Sequence, residues 1–180
     1  MEIELQEGSF FYILRMELND RNRVFEVLKE LRIAYELHEH PPTPTIEEAI
    51  KYWGKMKSTH CKNLFFRNHK GNKHYLVIFE HQQQLVIRDL EQKLKQGKLS
   101  FASEKRMSKY LGVKPGSVSL FGLINDVENH VYVFFDKNLL KSEYLSFHPN
   151  DNTASIKISQ NDFQKILKWS ANDYEFLDLY

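Results

Sequence analysis

Lys62 stands between Cys61 and the apolar run Leu64-Phe65-Phe66, in a stretch, THCKNLFFRNHKGNKHYLVIFEH (residues 59–81), that otherwise reads as two strands and a turn. A lone ammonium where a half-buried strand begins can hold an anionic or oxygen-rich ligand. Two loop stretches offer further chemistry. Gly116-Ser117-Val118-Ser119 joins a glycine to small hydroxyl residues, so its backbone N–H groups can turn into a cleft and hold a developing oxyanion. A tight turn after Pro115 explains the same glycine without any chemistry. Phe147-His148-Pro149-Asn150 carries an imidazole beside turn-forming residues, and it reads equally as a turn before a strand.

Other chemistries are set aside by spacing. The chain has eight histidines, but there is no His-Glu-x-x-His and no Cys-x-x-Cys, and His38 and His40 are the one close pair outside the hairpin. No metal and no cofactor are expected. Cys61, the single cysteine, excludes an internal disulfide. Beside Lys62 its thiol could be an activated nucleophile, although a small residue at the buried start of a strand is the preferred reading. No Gly-x-Ser-x-Gly, Walker-type or dinucleotide signature occurs, which removes covalent serine chemistry and nucleotide hydrolysis.

Charge is uneven although the net value is only +1. From Lys51 to Lys73 the chain carries Lys51, Lys55, Lys57, Lys62, Arg67, Lys70 and Lys73 with no Asp or Glu, interleaved with Tyr52, Trp53, Phe65 and Phe66. This segment suits a phosphate backbone and an unstacked base. It suits equally a solvated helix end and a hairpin edge protected by lysines. No apolar stretch approaches the roughly 20 residues needed to span a bilayer, and MEIELQEGSF lacks the order of a secretory signal, so a soluble cytoplasmic protein is expected.

The elements that must position these residues follow from periodicity. Val24, Val27, Leu28 and Leu31 fall at helical spacing after Asn19 and Asp20, and Ile33, Tyr35 and Leu37 alternate as a short strand ended by Pro41-Pro42. Thr45 with Glu48 has capping-box spacing and predicts a helix from Ile46 to about Trp53. Strands are expected at 62–67 and 74–80, helices at 89–96 and 103–111 each closed by glycine, strands at 117–124, 131–136 and 153–158, and a last helix begun by Ser159 and Asp162. The aromatic burst Phe10 to Leu14 reads as either a strand or a helix start, and 172–180 as an acidic, aromatic tail. With 180 residues and 42% hydrophobic content, this order argues one compact α+β domain on a mixed or antiparallel sheet flanked by helices. The expected divisions are an extension over 1–18, the domain over 19–170 and a tail over 171–180.

Four stretches, HEHPPTPTIEEA, HCKNLFFRNHKGNKHYLV, LSFASEKRMSKYLGVKPGSVSLFGLIND and FHPNDNTASIKIS, together resemble the YbaK/ProX family of prolyl-tRNA editing proteins, in order and with similar spacing from about Tyr35 to Leu167. The resemblance implies a curved mixed sheet and a freestanding deacylase that hydrolyses the ester between a wrong amino acid and the 3′ end of tRNA for proline, alanine first. Lys62 matches the family's essential lysine and Asn63 its neighbour. His148 matches the histidine of the amino-acid pocket, with Asn150 in the same stretch, and Thr45 precedes the Glu-Glu-Ala helix that contributes to that pocket. Gly116, Ser117, Val118 and Ser119 match the substrate loop, in which Leu120 replaces the usual proline. The implied partners are aminoacylated tRNA and prolyl-tRNA synthetase, with no membrane and a monomer expected. Alternatives are the same reaction on a cysteinyl or another small-residue tRNA, a tRNA- or synthetase-binding module without catalysis, and a regulatory domain of proline metabolism.

Overall fold

The computed structural model describes residues 20–42, 52 and 56–180. The described chain runs α1 (Asp20–Glu30), β1 (Tyr35–Glu39), β2 (Thr59–Asn68), β3 (His74–Glu80), α2 (Ile87–Leu94), β4 (Leu99–Phe101), α3 (Glu104–Leu111), a 3-10 helix (Leu120–Asn125), β5 (Val131–Asp136), a second 3-10 helix (Lys137–Lys141), β6 (Tyr144–Phe147), β7 (Ala154–Ser159), α4 (Gln160–Ser170) and β8 (Tyr174–Leu177). The strands form one eight-stranded sheet in the order β1-β7-β6-β2-β3-β5-β8, with β4 paired to β2 off that path. It is mixed: β2 is antiparallel to β3 but parallel to β6, and β5 is parallel to both β3 and β8. The α+β class and the flanking helices read from the sequence are those of the molecule.

Local signals explain most element ends. The Ser159 hydroxyl accepts from the Asp162 N–H at 3.1 Å and donates to its carboxylate at 2.7 Å, which fixes the start of α4. The hairpin turn is held by Asn68, whose side-chain oxygen accepts from the N–H groups of Asn72 and Lys73. The helix expected to stop at Gly97 ends earlier, at Leu94, because Lys95 takes the left-handed cap position at φ 53°.

Strand alternation sorts the side chains onto two faces. One face packs Cys61, Phe65, Leu76, Ile78, Val133, Phe135, Phe147 and Ile156 under α1, α3, α4 and the first 3-10 helix. On the other face, Phe66, Tyr75, Val77, Phe79 and Phe134 lie under Leu90 and Leu94 of α2 and under Leu179. This second core covers only the β2-β3-β5 half.

Two expectations are corrected. Residues 117–124 do not form a strand: Ser119 caps a 3-10 helix by accepting from the Phe121 N–H, and Gly122 passes so close to Leu111 that an added Cβ would stand 2.9 Å from the Leu111 Cβ. The acidic, aromatic tail read at 172–180 is in part a strand of the sheet, since β8 pairs with β5 and Leu179 is buried. The aromatic burst at 10–14, the extension 1–18 and the helix expected at 46–53 fall outside the described residues, Tyr52 apart. Among the described residues no helix is long and apolar enough to cross a membrane.

Candidate active site

The half of the second face that α2 does not cover is polar, and strand parity decides which residues it carries. On β2, Cys61 and Phe65 enter the main core, so His60 and Lys62 point the other way. On β6, Leu145 and Phe147 are in the core and Ser146 is opposite; on β7, Ile156 and Ile158 are in the core and Ser155 is opposite. The parallel register His60 to Ser146 therefore puts both on one face, where the Ser146 hydroxyl and His60 Nδ1 lie 2.7 Å apart. Lys62 follows His60 on that face of β2, and His148, just past the end of β6, packs edge-on to His40, which is bonded to Ser155 of the same face.

Lys62 is half-buried. Its ammonium lies 5.9 Å from the centroid of the Phe79 ring, directly across the hairpin. Among the described residues the ion pairs are made by other cations. The side chain thus rests its stem at the border of the α2-covered core and holds its charge at the edge of the polar half.

Around it stand imidazoles whose tautomers the hydrogen bonds dictate. His148 Nδ1 lies 2.9 Å from the Ala154 carbonyl, which can only accept, so Nδ1 carries the proton. Burial pushes this ring below its ordinary pKa, so it is neutral with Nε2 as an acceptor. His40 Nδ1 likewise donates to the Pro41 carbonyl at 2.9 Å, and its Nε2 lies 3.3 Å from the Ser155 hydroxyl. His40 packs edge-on to His148 at 6.2 Å and stacks with Tyr52 at 5.6 Å. His60 is held down to about 4, by burial first and then by the charge of His81, whose ring meets it edge-on at 5.6 Å.

The loop at 116–119 borders this half-face through the turn that carries His148. The Ser119 hydroxyl donates to the His148 carbonyl at 2.5 Å, and the Asn150 side-chain amide donates to the Phe121 carbonyl at 3.2 Å. Gly116 takes φ +85°, a conformation that other residues adopt only with strain. The Ser117 N–H is committed to the Lys114 carbonyl at 3.1 Å and Ser119 is fully buried, whereas Gly116 is exposed and Val118 half-buried. Leu120, where the resemblance leads one to look for proline, is fully buried in the main core and Val118 packs against it.

The residues singled out in the sequence thus fall into three groups. Lys62 and His148 share a face; Gly116, Ser117, Val118, Ser119 and Asn150 form one tied rim beside it. Asn63 faces away, opposite Ile78 of the main core, with its amide donating to the Cys61 carbonyl at 3.1 Å. Thr45 lies outside the described residues. Cys61 is buried on the far face with its thiol pushed up by burial, which makes it a packing residue and not a nucleophile. Residues not singled out are His40, His60, His81, Ser146 and Ser155. The parity of His60 with Lys62, two apart on one strand, was the signal available for the first of the polar neighbours.

A polar half-face edged by the Lys62 ammonium, with His148 neutral and a glycine loop beside it, has parts for binding an ester and its phosphates. Residues 40–166 match the family described as aminoacyl-tRNA editing domain. The chain belongs to the aminoacyl-tRNA editing domain family. It is 42% identical to the prolyl-tRNA editing protein ProX of Acetoanaerobium sticklandii, over 91% of this chain and 100% of that protein. It is 34% identical to prolyl-tRNA synthetase associated domain-containing protein 1 of Mus musculus, over 89% of this chain and 93% of that one. A crystal structure described as a candidate trans-editing enzyme for prolyl tRNA synthetase superposes with a TM-score of 0.65 at 20% identity, over 89% of this chain and 97% of that one, and so shares the fold. Membership bears out the resemblance read in the motifs and makes this editing domain a hydrolase of an aminoacyl-tRNA ester.

Proposed function

We propose that this chain clears wrongly charged tRNA for proline, alanyl-tRNA first, acting in trans on a product made by a separate synthetase. The observation that carries the reading is the single polar half-face shared by Lys62 and His148, bordered by the Gly116 loop. The name and full-length coverage of the Acetoanaerobium relative support tRNA for proline as the substrate. The mouse relative's name supports docking on prolyl-tRNA synthetase.

In this reading the Lys62 ammonium holds the phosphate or ribose oxygens of the terminal nucleotide. Water adds to the ester carbonyl carbon, and the N–H groups of Gly116 and Val118 receive the negative charge that develops on its oxygen. The ester C–O bond then breaks and the ribose oxygen leaves with a proton. An activated ester needs little more than orientation and charge stabilisation, and losing one oxyanion donor typically costs about 10²–10³ in rate. His148, His40 and Thr45 shape the amino-acid pocket. Ser119 and Asn150 position the rim, because their side chains are already bonded within it.

Pocket size alone separates proline from smaller residues by only about 1–3 kcal/mol, so tRNA contacts must add discrimination. The test is a panel of tRNAs charged with alanine, cysteine, serine and proline. Loss of the alanyl label alone is expected; selective loss of the cysteinyl label would move the reading to that substrate.

A further inference from the structure

A cavity of about 640 Å³ opens on the other side of the rim, lined among others by Arg21, Ser108, Lys114, Ser117, Asn150 and Asn152. Its volume is that of a small-molecule site, yet its walls carry hydroxyls, amides and cations in place of the aromatic lining such sites usually have. The cations differ in state. Arg21 is already engaged, by Glu39 and by the Thr153 hydroxyl at 3.5 Å. Lys114 is exposed, and the ion pairs among the described residues do not include it. The one acidic lining residue, Asp151, spends a carboxylate oxygen on the N–H of Thr153 at 2.7 Å and on its hydroxyl. The Ser108 and Ser117 hydroxyls and the exposed Lys114 ammonium suit a ribose-phosphate unit.

Position identifies which unit. Ser117 belongs to the Gly116 loop and Asn150 to the turn of His148, so the wall of this cavity is also the rim of the candidate active site. An RNA whose last nucleotide is held at Lys62, with its ester at the loop, can leave over that rim. Resting on the editing reading, we infer that the cavity takes the unpaired nucleotide preceding the esterified one, its phosphate at Lys114 and its ribose hydroxyl against Ser108, Ser117 and the Asn150–Asn152 turn. The cavity is then a second grip that makes the domain prefer a whole tRNA end to a bare aminoacyl-nucleoside.

The experiment measures binding of uncharged tRNA for proline across a salt series, with its full 3′ end or with the last two nucleotides removed. The proteins are the unsubstituted chain, Lys114→Glu and Ser108→Tyr, both changes lying on exposed positions. Each variant should bind the full tRNA about tenfold more weakly, and Lys114→Glu should lower the salt slope by about 1. The truncated tRNA should not respond. Equal weakening of both RNAs, or none of either, overturns the inference. Hydrolysis of charged tRNA is followed in parallel: the binding pattern without hydrolysis would sink the editing reading and leave the cavity standing, whereas hydrolysis without the pattern does the reverse.

Discussion

One sheet face carries two unlike halves. Over β2, β3 and β5 it presents Phe66, Tyr75, Val77, Phe79 and Phe134, covered by α2 and Leu179. Over β1, β7, β6 and the start of β2 it presents Ser155, Ser146, His60 and the turn to His148, with Tyr52 stacked on His40 beside them. The backbone ladder is continuous across both, so the difference lies in side chains alone. Apolar area taken from water stabilises the first half at roughly 25 cal/mol per Å². In the second half the buried imidazoles and hydroxyls of His40, His60, Ser146 and Ser155 bond to one another, which contributes less to folding per group. Lys62 sits on the boundary, its ammonium close to Phe79 and its strand neighbour His60 in the polar half. A site at such a border gets rigidity from one side and open polar groups from the other.

The comparison can be broken most strongly from the apolar half. Phe79→Ala empties a fully buried ring position and should cost about 3–5 kcal/mol in urea unfolding, with deacylation falling as well because Lys62 loses its support. Gly116→Ala should cost about 1–2 kcal/mol from its φ of +85° and should slow hydrolysis by moving the loop amides. In the polar half, His148→Ala should lower kcat/KM for alanyl-tRNA about tenfold while changing stability by less than about 1 kcal/mol.

A smaller effect follows from acid. His60 is held from 6.5 down to about 4, so the fold favours its neutral form. The unfolded chain binds that proton more readily, and the stability His60 contributes above pH 6.5 is lost as pH falls towards 4. Urea midpoints at pH 7, 5.5 and 4.5 should decline, and His60→Asn should flatten the decline. His74, buried at the other end of the sheet in a bond to Arg106 and also held to about 4, adds a parallel loss that His74→Asn isolates.

Much of this was legible before any coordinates, for definable reasons. The strands 74–80 and 131–136 are apolar runs bounded by turn formers, and both occur with those bounds. Short β4 and β6, of three and four residues, give too little pattern to be seen, and the same holds for β8. The segment 117–124 is apolar enough for a strand, but a serine cap and a glycine against Leu111 make it a 3-10 helix. For the candidate site, motif order singled out Lys62, the Gly116 loop and His148. What it could not supply was the pairing of β2 with β6, which brings His60 to Ser146 across 86 positions of sequence. Adjacency also misleads in a strand: Asn63, next to Lys62 in the chain, faces the opposite core.

The central claim is that the Lys62 charge, and not its packing, serves hydrolysis. Lys62→Met keeps a stem of similar length over Phe79 and removes only the ammonium, so single-turnover hydrolysis of alanyl-tRNA for proline by this variant separates the two. The account predicts a rate lower by about 10²–10³ with an unchanged melting temperature. Hydrolysis at the unsubstituted rate by a folded Lys62→Met protein would contradict it.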